Sequence, residues 1–75
     1  MDWPSIIRTL RERLGMNQTE FGAVFGVAFV TVFRWESGRS SPYPRSKKKI
    51  IELCKEHNVP TDRFVLVRRV EGGSK

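Results

Sequence analysis

The sequence predicts an all-α domain of four to five short helices. Three observations carry this. Apolar residues recur every three or four positions in separate segments, the period of one helix face. Gly15, Gly26 and Gly38 each stand just past such a segment, where a helix commonly ends in a left-handed residue. Capping and proline signals stand near the expected starts. At 75 residues the chain makes one domain with a small core, so its helices must pack well to be stable.

Ile6, Ile7, Leu10 and Leu14 define a first helix over about 4–14, with its N-cap region at Ser5 after Trp3 and Pro4. Asn17 and Glu20 have capping-box spacing and open a second helix over about 18–25. Phe21, Val24 and Phe25 supply its buried side, and Gly26 ends it. The third helix spans about 28–37, with Val27 anchoring the preceding turn, Val32 and Trp35 facing the core, and Gly38 closing it. The stretch RSSPYP reads as a loop, because clustered Ser and Pro do not continue a helix. A fourth helix spans about 45–57, with Ile50, Ile51, Leu53 and Cys54 as packing positions and Asn58 as its stop. TDRFVLVRRV reads either as a short helix opening at Thr61 or Asp62 or as an edge strand, since Phe64, Val65 and Val67 favour strands. The domain is expected over 1–67, with a disordered tail at 68–75.

Charge narrows the function. The net charge is +6, which points to a polyanionic partner. Arg34, Arg39, Arg45, Lys47, Lys48 and Lys49 crowd one stretch against a single acid, Glu36. Cys54 has no cysteine to pair with, and nothing resembles a zinc cluster, so a small core hydrophobe in a reducing compartment is expected. His57 has no Ser, Asp or Cys constellation around it, and GGSK lacks the upstream glycine and strand of a phosphate loop. An enzyme, a metal and a cofactor are therefore not expected. No segment approaches membrane length, and MDWPS is no signal peptide, so a cytoplasmic protein is expected.

Two short helices around a glycine turn fit a helix-turn-helix, and the match is closer than that. The stretch LRERLGMNQTEFGAVFGV, followed by TVFRWESGRSSP, resembles the Cro/C1-type (XRE) family of phage and bacterial repressors. The shared elements are Leu10 and Arg11, then Gly15, Met16 and Gln18, then Phe21, Phe25, Gly26 and Val27, then Val32, Trp35, Glu36 and Gly38. The resemblance covers about residues 5–57 and lapses beyond 60. It implies a lambda repressor-like domain that occupies double-stranded DNA as a homodimer on a two-fold operator; with one domain expected, no small-molecule ligand is expected. Helix 4 onward, including Phe64, Val65 and Val67, is the candidate dimer surface. Arg11 and Glu36 are expected to pair, Gly26 to allow the turn, and Trp35 to direct the segment inward. Gly22 stands where the family usually has Ala, a change costing roughly 1 kcal/mol of helix propensity, and a close helix crossing is the expected reason.

The family places the start of its third helix in the major groove. Ala28, Phe29, Val30, Phe33 and Arg34 are then the candidate base contacts. Asn17, Gln18, Thr31, Ser37, Arg39, Ser40, Arg45 and Lys47 are the candidate phosphate contacts. Gln18 has a second reading, as a helix-start residue facing water. Arg34 suits guanine, the partner of the commonest specific contact. The other four groove residues depart from the polar side chains usual in the family. They either contact thymine methyl groups or form a protein-interaction or dimerisation face, leaving only non-specific DNA contact. For Phe33 alone, a third reading places it under the PYP loop or Tyr43.

Overall fold

The computed structural model describes residues 2–61. Its helices are α1 (Trp3–Arg13), α2 (Gln18–Phe25), α3 (Phe29–Glu36) and α4 (Pro44–Glu56), with no strand among the described residues. The choice between helix and strand around Phe64, Val65 and Val67, and the tail at 68–75, lie outside the described residues.

Local chemistry sets the helix starts. The α1 N-cap is Asp2, whose carboxylate accepts from the Ser5 amide at 3.3 Å. Trp3 and Pro4 are therefore the first helical residues, not a lead-in to a cap at Ser5. A proline there loses nothing, because the first helical amides have no intrahelical acceptor. At α2 the reciprocal capping box is complete: Asn17 Oδ1 accepts from the Glu20 amide at 2.7 Å, and Glu20 Oε1 accepts from the Asn17 amide at 2.9 Å. Ala28 precedes α3 in an extended conformation and offers no side-chain cap. Pro44 opens α4, one residue earlier than the sequence reading, for the same reason as Pro4.

All four helices end in one backbone motif. Gly15, Gly26, Gly38 and Asn58 take positive φ of 69°, 71°, 78° and 58°. The next residue's amide then bonds back five positions: Met16 to Arg11, Val27 to Gly22, Arg39 to Arg34 and Val59 to Cys54, at 2.8–3.1 Å. This satisfies carbonyls the helix leaves unpaired, and an apolar residue after the left-handed position normally tucks under the helix end. Met16, Val27 and Val59 do so, packing on or within the core. Arg39 does not; it is exposed.

The core is built from one stripe of each helix. Ile6, Ile7 and Leu10 of α1, Phe21 of α2, Val32 and Trp35 of α3, and Ile50 and Cys54 of α4 are buried, joined by Val59. Phe25 packs at its edge, 4.9 Å from the Phe21 ring and edge-on to Trp35 at 5.9 Å, an arrangement aromatic quadrupoles favour. Val24 and Ile51, read from sequence as packing positions, are only half-buried. Burial pushes the Cys54 thiol above its ordinary value, which disfavours the reactive thiolate. α3 packs across both α2 and α1, and α4 lies against α1.

The turn before α3 meets α2 in backbone contact. A Cβ built on Gly22 would lie 2.5 Å from the Val27 carbonyl oxygen, closer than real side chains approach. Glycine here follows from the approach of the turn to α2. Its propensity cost is offset by a crossing that alanine would force apart.

Candidate nucleic-acid interface

α3 has two opposed faces. Val32, Trp35 and Glu36 are buried. Phe29, Val30, Phe33 and Arg34 are exposed, and they fall on one side because residues three and four apart stack along a helix. Phe29 is 56% exposed, Val30 40% and Phe33 47%. Ala28, just before the helix, is exposed as well. The five candidate base contacts therefore lie together on one outward surface. Phe33 stays exposed at 47%, as does Tyr43 at 63%, which goes against the reading of Phe33 as covered.

A polar cluster fixes this helix from below. Arg11 of α1 meets Glu36 with Nε at 2.6 Å from Oε2 and Nη2 at 3.1 Å from Oε1. Its remaining nitrogen, Nη1, donates to the Met16 carbonyl at 3.1 Å. Gln18 of α2 donates its amide to Glu36 Oε1 at 3.3 Å, and Arg8 Nε stands 3.7 Å from the same oxygen. Burial pushes the Glu36 carboxyl up. Hydrogen bonds from Arg11 and Gln18, with the charges of Arg11 and Arg8, outweigh it and hold the group below its ordinary value. Arg11 is raised in turn, chiefly by its hydrogen bond to Glu36. One carboxylate thus ties three helices, and each buried polar atom finds a partner.

The candidate phosphate contacts divide. Arg39 and Ser40 are exposed, and both of their amides bond to the Arg34 carbonyl, which holds the loop against the end of α3. Ser37 is exposed and donates its hydroxyl to that carbonyl at 3.2 Å. Arg45 is exposed and, with Tyr43, lines a shallow groove shared with Gly26 and Val27 of the turn. Thr31 is half-buried on the flank of the exposed face. Gln18 is turned to Glu36, a role outside both of its sequence readings. Asn17 is exposed, but its side-chain oxygen is occupied by its own cap, and Glu20 places a carboxylate at that helix end. Lys47 leans on Trp3, its Nζ 5.5 Å from the ring centre.

Lys49, not among the candidates, stands nearer the turn. Its Nζ donates to the Val24 carbonyl at 3.1 Å and lies 5.8 Å from the Phe25 ring. Three consecutive lysines spread around a helix, and only the packing of α4 shows which one meets α2. Tyr43 was likewise missed as part of this rim; its signal is an aromatic side chain isolated in a Ser and Pro loop.

The sign of the surface is consistent. Between residues 21 and 51 the sole acid is Glu36, and it is buried against Arg11. Every other charge on that stretch is positive. A short helix set across its partner after a glycine turn, outward-facing and ringed by cations, defines a helix-turn-helix of the DNA-binding class. A helix-turn-helix family model matches residues 7–64. The chain belongs to that family, the Cro/C1 (XRE) type, which is a DNA-binding rather than an enzymatic one. The match runs past residue 60, further than the resemblance read from the motifs alone. No curated protein and no solved structure matches the chain. No helix among the described residues is long and apolar enough to cross a membrane.

Proposed function

We propose that the protein is a transcriptional regulator, a repressor, which binds double-stranded DNA by sequence with α3 in the major groove. It does so as a homodimer on a two-fold operator, in the cytoplasm. The observation that supports this most is the exposed α3 face bordered by Arg34, Arg39 and Arg45, with the one nearby acid buried. Arg34 reads guanine bidentately. Arg39, Ser40 and Arg45 grip phosphates on either side and set the register. Pairing two copies multiplies the few base pairs one short helix can span.

The second reading rests on Phe29, Val30 and Phe33, an apolar cluster of the kind that also marks protein interfaces. One experiment separates the two. Duplexes bound from a random library are selected at near-physiological salt, and the winner is titrated across a salt series. A recovered motif with a mirrored half-site supports the dimeric regulator. Binding without enrichment, which falls steeply with salt, leaves only electrostatic contact and moves the apolar face to a protein partner. Arg34→Ala sharpens the first outcome: preference for the motif drops by roughly 1–3 kcal/mol while non-specific binding persists.

A further inference from the structure

We propose that the apolar half of the α3 face recognises the 5-methyl group of a pyrimidine rather than the base that carries it, so that thymine and 5-methylcytosine are accepted at the same operator positions while uracil and cytosine are discriminated against. The proposal rests on the DNA reading above and specifies what that reading leaves open.

The argument is one of complementary chemistry. Phe29, Val30 and Phe33 have no side-chain donor or acceptor and stand exposed together. The edge pattern that distinguishes thymine from cytosine in the major groove is an acceptor against a donor, and these side chains are blind to it. The methyl on C5 is the apolar feature of that groove. An apolar cluster docked there gains by covering methyl groups and gains nothing from bare pyrimidine edges. The surroundings select DNA over a protein as the occupant. From residue 21 to 51 the exposed charges are Arg34, Arg39, Arg45, Lys48 and Lys49, with no exposed carboxylate. A protein surface docking at Phe29 and Phe33 would bring its own apolar patch into that predominantly cationic frame. A duplex brings a phosphate backbone on each side of its methyl-lined groove. The helix end points the same way: where three helices tuck an apolar residue under their last turn, α3 puts Arg39 outward.

The test uses the full chain and its selected duplex, with affinity read by fluorescence anisotropy. Each pyrimidine opposite the apolar side chains is exchanged in turn. Thymine to uracil removes only a methyl group; cytosine to 5-methylcytosine adds only one. One buried methyl is worth about fourfold in affinity. Binding is therefore expected to fall about fourfold per uracil, fall similarly for cytosine, and recover with 5-methylcytosine. Phe29→Ser is expected to erase the difference between thymine and uracil while retaining preference for the guanine read by Arg34. Equal affinity for thymine and uracil duplexes, with the motif still selected, overturns methyl reading and leaves the regulator standing. A uracil effect that survives in Phe29→Ser and in Phe33→Ser alike reports duplex shape instead, and overturns it too. If no duplex is selected and Phe29→Ser abolishes self-association in sedimentation, the DNA reading itself fails and the face belongs to a second protein.

Discussion

The two sides of α3 reverse the usual arrangement of a globular surface. Toward the protein, beside Trp35, it carries a carboxylate; toward solvent it carries two phenylalanines and a valine. Each reversal has a different resolution. The buried charge is fully answered within the chain, by Arg11, Gln18 and Arg8. The exposed rings are answered by nothing in the described chain. A polar group inside must be satisfied for the fold to exist. An apolar group outside adds little to the fold and waits for a partner. Four residues of one short helix are thus available for function, while the other half bears the structure.

The sharpest break of this comparison is Arg11→Ala. It leaves the buried Glu36 carboxylate with only Gln18 and the more distant Arg8, and removing one partner of such a pair costs about 3–5 kcal/mol, a large share of the stability of so small a domain. Urea denaturation is expected to show that loss. Replacing the pair together, Arg11→Met with Glu36→Leu, is expected to recover most of it, because no uncompensated charge remains. Recovery of DNA binding along with stability would show that the pair serves only to hold α3.

Acid tests the same cluster without mutation. The folded Glu36 carboxyl sits below its ordinary value of 4.5. Its contribution is therefore complete above that value and is lost as pH falls through the lower folded value. Urea midpoints measured in steps from neutral pH downward should decline in this window. Glu36→Gln, less stable at neutral pH, should decline less.

Gly22→Ala is expected to act next in size. Overpacking costs roughly 1–3 kcal/mol, against about 1 kcal/mol regained in helix propensity. A melting temperature lower by a few degrees is the expected result; a rise would mean that the turn yields easily at Val27.

The smallest effect on the fold is expected from Phe29→Ser. Substitution at an exposed position shifts stability by about 0.5 kcal/mol or less, which thermal melts will check. Anisotropy on the selected duplex should nevertheless show weakened binding. A large loss of stability would mean that the exposed face bears structure after all.

Much of this was legible because it is written locally. The α2 boundaries follow from a capping box at one end and a glycine at the other, both within a few residues of the chain they govern. Val32, Trp35 and the alternation of faces follow from the helix period. The α1 start was misplaced because Ser5 is itself a favoured capping residue, and only the Asp2 carboxylate reaching the Ser5 amide shows that the helix begins at Trp3. Long-range details were less accessible. That Gln18 would turn to Glu36, eighteen residues on, depends on how α2 crosses α3. That Lys49 rather than Lys47 would meet the end of α2 depends on the rotation of α4. Val59 was missed because its burial belongs to the turn after α4, beyond any helix period.

The missing side chain at Gly22 has a consequence for how such a protein changes over time. Where the Val27 turn rests on the α2 backbone, no side chain intervenes that could swell, shrink or repack. A substitution at 29, 30, 33 or 34 therefore alters what is read without altering the angle at which it is presented. The mount and the reading head vary independently. A chain built this way can acquire a new target by exchanging a few exposed residues, with the scaffold that aims them left as it was.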